Sequence, residues 1–289
     1  MRKIRSCVEN TLATGRSGCQ LDFANIRALI IVQHGQVVNF DSISSPSNFA
    51  SLIHANAPAR IYPINGIVEY AKSGGEPQVS ALGYDGNGVT GLSPRTDTFT
   101  LSKVSEQIAA SLTKNMNKRF DVYYVDENGV VYGIRKEGGV DGGVLYGFPM
   151  LTIYPTVTPH PTSSAQATMT ISCCLENARE AIEKFDYVEL GFNPIDALNG
   201  LVPVDLVEIE TGKYKVVETI GGYDRTEEFG VVDGIALLFD GVSAATYAEG
   251  LITLTAVSGK TPSLKRPSAL FAGGVRGIEY NATITSDRT

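Results

Sequence analysis

The chain has 289 residues, enough for one large or two ordinary domains with a substantial core. Hydrophobic residues make up 43% and charged residues 19%, which argues against a disordered chain. The formal charge of −7 argues against nonspecific binding to nucleic acid or anionic membrane.

In chain order, residues 1–25 read as a polar, mildly basic arm carrying Arg2, Lys3, Arg5 and Arg16. No apolar run follows the first three of these, so no signal peptide is expected. Ile26 to Val32 is a dense aliphatic run, and His34-Gly35 offers a turn into Gln36 to Phe40, which predicts a strand or hairpin. Within it Ala28 to Val32 is the longest apolar run, too short to span a bilayer. Asn48 to Ala55 reads as one short helix. Ala59 to Tyr70 is interrupted by Pro63 and Gly66 and predicts an irregular or edge strand. Pro77 to Tyr84 is a strand candidate, and Asp85 to Arg95 reads as a loop. Ser102 to Met116 is the clearest helix of this half, with Ser102 as N-cap and an apolar stripe of Leu101, Val104, Ile108, Ala109, Leu112 and Met116.

Phe120 to Ile134 follows, and it organises the first domain. Two β-branched and aromatic runs flank Asp126-Glu127-Asn128-Gly129, and Asn-Gly between such runs is a strong hairpin signal. Gly147 to Thr158 predicts a strand, and Tyr154-Pro155 with Thr158-Pro159-His160-Pro161 predict an extended polyproline-like stretch. Gln166 to Cys174 alternates as a strand, Leu175 to Phe185 is a second helix, and Asp186 to Phe192 is a further strand. Asn193-Pro194 starts one helical turn that Asn199-Gly200 stops. From Leu201 the pattern changes to short strands: Asp205 to Glu210, Lys213 to Thr219, Val231 to Phe239, Tyr247 to Val257 and Val275 to Ile284. Turn signals spaced in this way suit a β-sandwich. The expected organisation is an arm (1–25), a β-rich domain (26–200) with helices near 102–116 and 175–185, and a β-sandwich domain (201–289). The fold class is mainly β, a sandwich or barrel with one or two flanking helices.

Chemical motifs are few. Gly86-Asn87-Gly88-Val89-Thr90-Gly91 matches the dinucleotide fingerprint by letter, but no helix follows to present its amides to a pyrophosphate. Ser258-Gly259-Lys260-Thr261 resembles the end of a phosphate-binding loop, yet position 254 is leucine and prolines follow. Asp126 to Gly129 reads as a turn and not as part of a calcium loop, because the later ligand positions hold Val130 and Tyr132. His34, His54 and His160 have no metal-binding spacing. Cys7, Cys19, Cys173 and Cys174 form no Cys-x-x-Cys pair and read as buried free thiols.

A β-rich unit that holds a helix (Ser102 to Met116) and then a hairpin turning at Asp126 to Gly129 resembles virion proteins of tailed bacteriophages. The likeness is nearest to tail tube proteins and spans residues 100–192. It implies subunits that assemble with themselves into rings, usually hexameric, or into a tube, together with other virion proteins. It further implies an immunoglobulin-like domain at 201–289, no catalysis, no cofactor, no metal and no sequence-specific nucleic acid. The protein would then reside in the virion after assembly in the host cytoplasm. Other head, connector or tail proteins are alternatives, as are an immunoglobulin-like glycan- or surface-binding module and an enzyme with a composite site. The residues expected to meet a neighbouring subunit are Arg2, Lys3, Arg5, Arg16, Gly86, Gly88, Arg95, Asp126, Asn128 and Gly129.

Overall fold

The computed structural model describes residues 23–81, 83–136, 144–158, 160–161 and 167–286 and is mainly β. The chain forms two compact units. One holds the residues up to Phe49 with Ile61–Leu198, the other Ala50–Arg60 with the residues from Asn199 onward. The change of sequence character near 200 falls at this division, while residues 50–60 group with the second unit. Among the described residues no helix is long and apolar enough to cross a membrane.

The first unit contains β1 (Ile26–Gln33), β2 (Tyr62–Asn65), β3 (Ile67–Ser73), β4 (Pro77–Ala81), β5 (Asn87–Leu92), β6 (Thr96–Leu101), β7 (Phe120–Asp126), β8 (Val130–Lys136), β9 (Val144–Tyr146), β10 (Phe148–Thr158), β11 (Thr168–Leu175) and β12 (Phe185–Glu189). Its helices are α2 (Glu106–Lys114) and α3 (Ala178–Glu183), and α1 (Pro46–Ile53) carries the chain from the first unit into the second. Ten of the strands make one antiparallel sheet in the order β12-β8-β7-β10-β11-β6-β3, with β1 on β7, β2 on β1 and β9 on β8. β7 is the branch point. β1 pairs along its whole length, while β10 takes its start (Phe148↔Val122) and β8 its end (Tyr124↔Tyr132).

Leu29, Ile64, Ile67, Phe99, Tyr124, Tyr132, Phe148, Met150, Met169, Ile171 and Tyr187 share one core cluster. They come from strands at both ends of the sheet order as well as its middle. A sheet whose distant strands meet over one core has curled upon itself, as barrel-like sheets do. Val104, Ile108, Ala109 and Leu112 of α2 and its approach pack on this core. β7 is buried on its second face as well, where Tyr123 meets Phe40 edge-on with ring centroids 5.0 Å apart.

The hairpin forms as the sequence indicates, with a three-residue solution to the turn. Gly129 N donates to the Asp126 carbonyl at 3.1 Å, and Gly129 has φ +79. A β-turn followed by a left-handed glycine is the bulged hairpin connection. Asp126 fixes it from within, its Oδ1 accepting from Asn128 N and Val130 N, both at 2.9 Å.

Several elements differ from expectation for identifiable reasons. Ser102 does not cap α2. Ser105 does, its Oγ accepting from Ile108 N at 3.3 Å, so the cap and the helix start lie three residues later. Leu101 of the expected stripe belongs to β6. The stretch read as a loop at 85–95 contains β5, which pairs with β4. Pro155 lies in β10 opposite Ile171, so the polyproline-like reading fails at that residue. No strand follows the turn at Gly35; Val37 makes one isolated bridge to Tyr146 before a 3-10 turn over Phe40–Ser42.

The second unit holds β13 (Val202–Glu210), β14 (Lys213–Glu218), β15 (Phe239–Asp240), β16 (Val242–Ala248), β17 (Leu251–Ala256), β18 (Ser263–Leu264) and β19 (Ile278–Tyr280), with α4 (Glu227–Gly230), α5 (Pro267–Ala272) and α6 (Asn281–Ser286). Five strands form a sheet in the order β16-β17-β14-β13-β19, in which β13 and β19 run parallel, and β15 and β18 form a short ribbon. The core is Val204, Val216, Phe229, Leu238, Phe239, Ile252, Leu254, Leu264, Leu270 and Ile278. The immunoglobulin-like sandwich expected at 201–289 is therefore not established. Most of the run Val231 to Phe239 is turn and 3-10 helix over Ile235–Leu238, and Val275 to Ile284 divides into β19 and α6. The first segment lacks the period-2 alternation of a half-buried strand, whereas Ile278, Tyr280, Ala282 and Ile284 do alternate and the fold overrides that pattern with a helix from Asn281.

Candidate functional site

Two features of the first unit are a projecting arm and, at its root, an aromatic pocket whose walls include the core residues Tyr124, Tyr132 and Phe148. The arm continues the β3–β6 ladder. After Ser73↔Thr96 the chain passes through Gly74 (φ +78) and Gly75 (φ +81). At Gly74 a Cβ would stand 1.9 Å from the Pro94 carbonyl oxygen, so the two backbones touch there and only glycine fits. Gly75 N donates to Ser93 O at 3.2 Å and Ser93 N to Glu76 O at 2.9 Å, and β4 and β5 then pair from Pro77↔Leu92 to Ala81↔Asn87. Every residue of β4 is exposed. β4 and β5 form a sheet of their own, outside the ten-stranded one. Val79 and Val89 are exposed, and Tyr84 in the tip is fully exposed. Residues 77–92 carry a single charge, Asp85. A lone two-stranded hairpin is marginal in water, so an arm of this kind has neither a core nor a charged surface to sustain it.

The pocket encloses about 400 Å³ and is lined by Phe23, Asn25, Ile26, Val68, Glu69, Tyr70, Arg95, Tyr124, Tyr132, Phe148 and Phe185, among others. Alternation along β7 and β8 sends Tyr124 and Tyr132 to the same side, and β10 and β12 add Phe148 and Phe185. Tyr124 and Phe148 lie 4.8 Å apart, Tyr132 and Phe185 5.8 Å, and Phe23 sits 5.9 Å from Tyr132. The hydroxyls of both tyrosines are committed elsewhere. Tyr132 donates to Asp126 Oδ2 at 2.6 Å and Tyr124 to Asp97 Oδ2 at 2.8 Å. Burial raises both phenols, and the neighbouring carboxylates raise them further. They stay neutral and offer the pocket carbon faces.

The polar edge is a buried ion pair. Asp97 is fully buried, and Arg95 grips it with Nε to Oδ1 at 2.9 Å and Nη2 to Oδ2 at 2.8 Å. Arg95 Nη2 also donates to Tyr70 Oη at 3.1 Å, and Tyr70 donates to Asp97 Oδ1 at 3.2 Å. Bidentate guanidinium pairing with two added hydroxyl donors is what a desolvated carboxylate requires.

The residues expected at subunit contacts separate into groups. Arg2, Lys3, Arg5 and Arg16 lie outside the described residues, as do Cys7 and Cys19. Gly86 (φ +88) turns the arm's tip and has open space around it, and Gly88 sits in β5 opposite Ser80. β5 runs where the dinucleotide motif would need a helix. Arg95 is at the arm's root, but its guanidinium is turned inward to Asp97. Asp126 is fully buried and Gly129 lies against the Phe192 carbonyl, 2.8 Å from where a Cβ would be. Asp126 and Gly129 thus build the hairpin, and Asn128 alone of the three is exposed. The arm and the β7–β8 tip are separate features of the fold.

A histidine–carboxylate pair is also present. His34 Nδ1 lies 2.8 Å from Asp121 Oδ1, and Gly35 N donates to Asp121 Oδ2 at 2.8 Å. Both bonds close the turn that follows β1, and His34 is not among the pocket's lining residues. Cys173 is buried, and burial raises its thiol, with Asp97 adding to this; both Cys173 and Cys174 are free. Sequence reasoning missed the pocket and the Arg95–Asp97 pair. The available signal was Asp97 itself, a charge at an inward position of the alternating strand Thr96–Leu101. The sequence matches no protein-family model and has no significant match among curated proteins.

Proposed function

We propose that this chain is a structural subunit that works by assembling with copies of itself, of the kind found in tailed-bacteriophage particles and most like a tail tube protein. The arm carries this reading. It is a β-hairpin with exposed valines and a fully exposed tyrosine, one charge in residues 77–92, and no core beneath it. Such an element gains stability when a neighbour covers it. The open edges of a curled sheet offer the same neighbour unpaired backbone groups, and a head-to-tail contact whose rotation closes makes a ring. Partners are then other copies and other virion proteins, the site of action is the virion, and the protein performs no catalysis.

The test replaces residues 76–93 with a short glycine-serine link. The shortened chain should remain folded and monomeric, while the intact chain forms rings or tubes by negative-stain microscopy. An intact chain that stays monomeric at every concentration overturns the proposal, and so does a shortened chain that assembles as well as the intact one.

A further inference from the structure

The sequence holds four Asn-Gly pairs, at 65–66, 87–88, 128–129 and 199–200. Such a pair can modify itself, because glycine, lacking a Cβ, leaves its backbone nitrogen unhindered beside the asparagine side chain. The reaction needs that side chain free and the backbone able to leave its resting shape. Most of the pairs are denied this by the fold. Asn65 is tied through Nδ2, which donates to the Leu198 carbonyl at 3.0 Å. At the β7–β8 turn Gly129 N donates to the Asp126 carbonyl at 3.1 Å, Asn128 N donates to Asp126 Oδ1 at 2.9 Å, and Gly129 is buried. Asn199 is engaged as well. Asn87 differs. It is exposed and opens β5 next to the arm's tip, and among the described residues no partner holds its side chain. Its strand pairs only with β4, and a two-stranded ladder without a core opens readily.

We infer that the pair Asn87 and Gly88 is a site of spontaneous deamidation, and that its product limits how long a free subunit stays able to assemble. The Gly88 nitrogen gives up its proton to base and attacks Asn87 Cγ. A C–N bond forms, the Cγ–Nδ2 bond breaks, and Nδ2 leaves as ammonia. The resulting five-membered imide takes up one water and opens at either carbonyl, leaving aspartate or isoaspartate at position 87. Nothing is oxidised or reduced. Either product adds a negative charge to residues 77–92, which otherwise carry only Asp85. Isoaspartate also lengthens the backbone by one methylene where Asn87 pairs with Ala81, which disturbs the register of the ladder at that end. The added charge opposes burial of the arm against a neighbour. This consequence rests on the self-assembly proposed above; the modification itself does not. Assembly in turn protects Asn87, because a covered arm no longer opens.

Peptide mass spectrometry of the full chain, incubated unassembled at pH 8.5, tests the site. The mass gain of amide-to-acid conversion should appear at Asn87 about tenfold or more faster than at Asn65 or Asn128. Asn87→Gln keeps the amide but cannot close the five-membered ring, so position 87 should stay unmodified. By sedimentation velocity the incubated unaltered chain should then assemble severalfold less well, while incubated N87Q assembles as fresh chain does. If Asn87 stays intact, or converts no faster than Asn65 and Asn128, the inferred site is wrong while the assembly proposal stands. If Asn87 converts and the incubated chain still assembles like fresh chain, the consequence for assembly fails. It fails equally if N87Q loses assembly at the same rate as the unaltered chain. A fresh chain that never assembles overturns that consequence together with the proposal it rests on, and the mass gain at Asn87 alone then decides the deamidation.

Discussion

Arg95→Met tests whether the ion pair at the arm's root is a structural necessity. Methionine keeps the apolar stem and removes the guanidinium. Asp97 would keep the hydroxyls of Tyr70 and Tyr124 but lose both bonds from Arg95. Breaking a buried pair from one side costs 3–5 kcal/mol, because a charge is left without compensation. The Arg95 side chain is 15% exposed and two hydroxyl donors remain, which places the expected loss at the lower end, about 3 kcal/mol. Urea unfolding followed by far-UV circular dichroism at pH 7 reads the loss. R95M/D97N, which leaves no charge, should recover about 2 kcal/mol at pH 7. An R95M variant within about 0.5 kcal/mol of the unaltered chain would refute the reasoning.

Two further substitutions have readable outcomes. At Gly133 a Cβ would stand 2.1 Å from the Tyr146 carbonyl oxygen, a backbone atom that cannot give way. Gly133→Ala should cost about 3 kcal/mol and lower the melting temperature by roughly 6–12 °C, whereas Gly86→Ala, with open space around it, should cost only the strain of its left-handed φ, about 1 kcal/mol. His54 in the second unit donates through Nδ1 to the Ala50 carbonyl at 2.7 Å and accepts at Nε2 from Gly277 N at 2.9 Å, so it is built to be neutral. Its pKa is lowered, foremost by burial; the Ala50 bond opposes this, and Arg276 and Arg60 add to the lowering. The unfolded chain binds the proton more readily, so this stability is complete above the unfolded value of about 6.5 and declines as pH falls through it. A His54→Gln variant should lose stability at pH 8 and show a flatter profile between pH 8 and pH 5; an unchanged slope would contradict the assignment.

The sequence made the backbone framework legible wherever a local rule and the tertiary fold agreed. The β7–β8 hairpin is visible because Asp-Glu-Asn-Gly sits between runs that alternate correctly. The turn at Gly212 between the runs Asp205 to Glu210 and Lys213 to Thr219 is similarly local, whereas the helix read from Leu175 starts only at Ala178, after its Asn177 cap. The arm was half seen. β4 was identified, but Asn87–Leu92 has two glycines in six residues and the apolar content of a loop, so its pairing with β4 is not written in composition. The failures in the second unit share a cause. Ile235–Leu238 and Asn281–Ser286 are short apolar or threonine-containing segments, and the side on which they meet a core decides helix or strand. The pocket was invisible because its walls come from β3, β7, β8, β10 and β12, which only the curl of the sheet brings together.

Three buried carboxylates of the first unit are engaged in holding its turns and the arm's root. Asp97, Asp121 and Asp126 are all fully buried, and each has both oxygens occupied. Asp121 and Asp126 bracket β7 and hold the turns at its two ends. Asp97 stands one strand position inside the arm's root and fixes β6 where the arm begins. A projecting hairpin transmits position only if its base is rigid, and the buried Arg95–Asp97 pair lies at that base. Amide hydrogen exchange should therefore divide sharply at Gly74. The amides of β7 should exchange only with unfolding of the unit, those of β4 and β5 far faster in the monomer, and assembly should slow β4 and β5 selectively. In R95M the boundary should move inward, with the β6 amides near Thr96 losing protection first. Protection of β4 and β5 as strong as that of β7 in the monomer would mean that the arm is held by its own molecule, and the case for a neighbour would go with it.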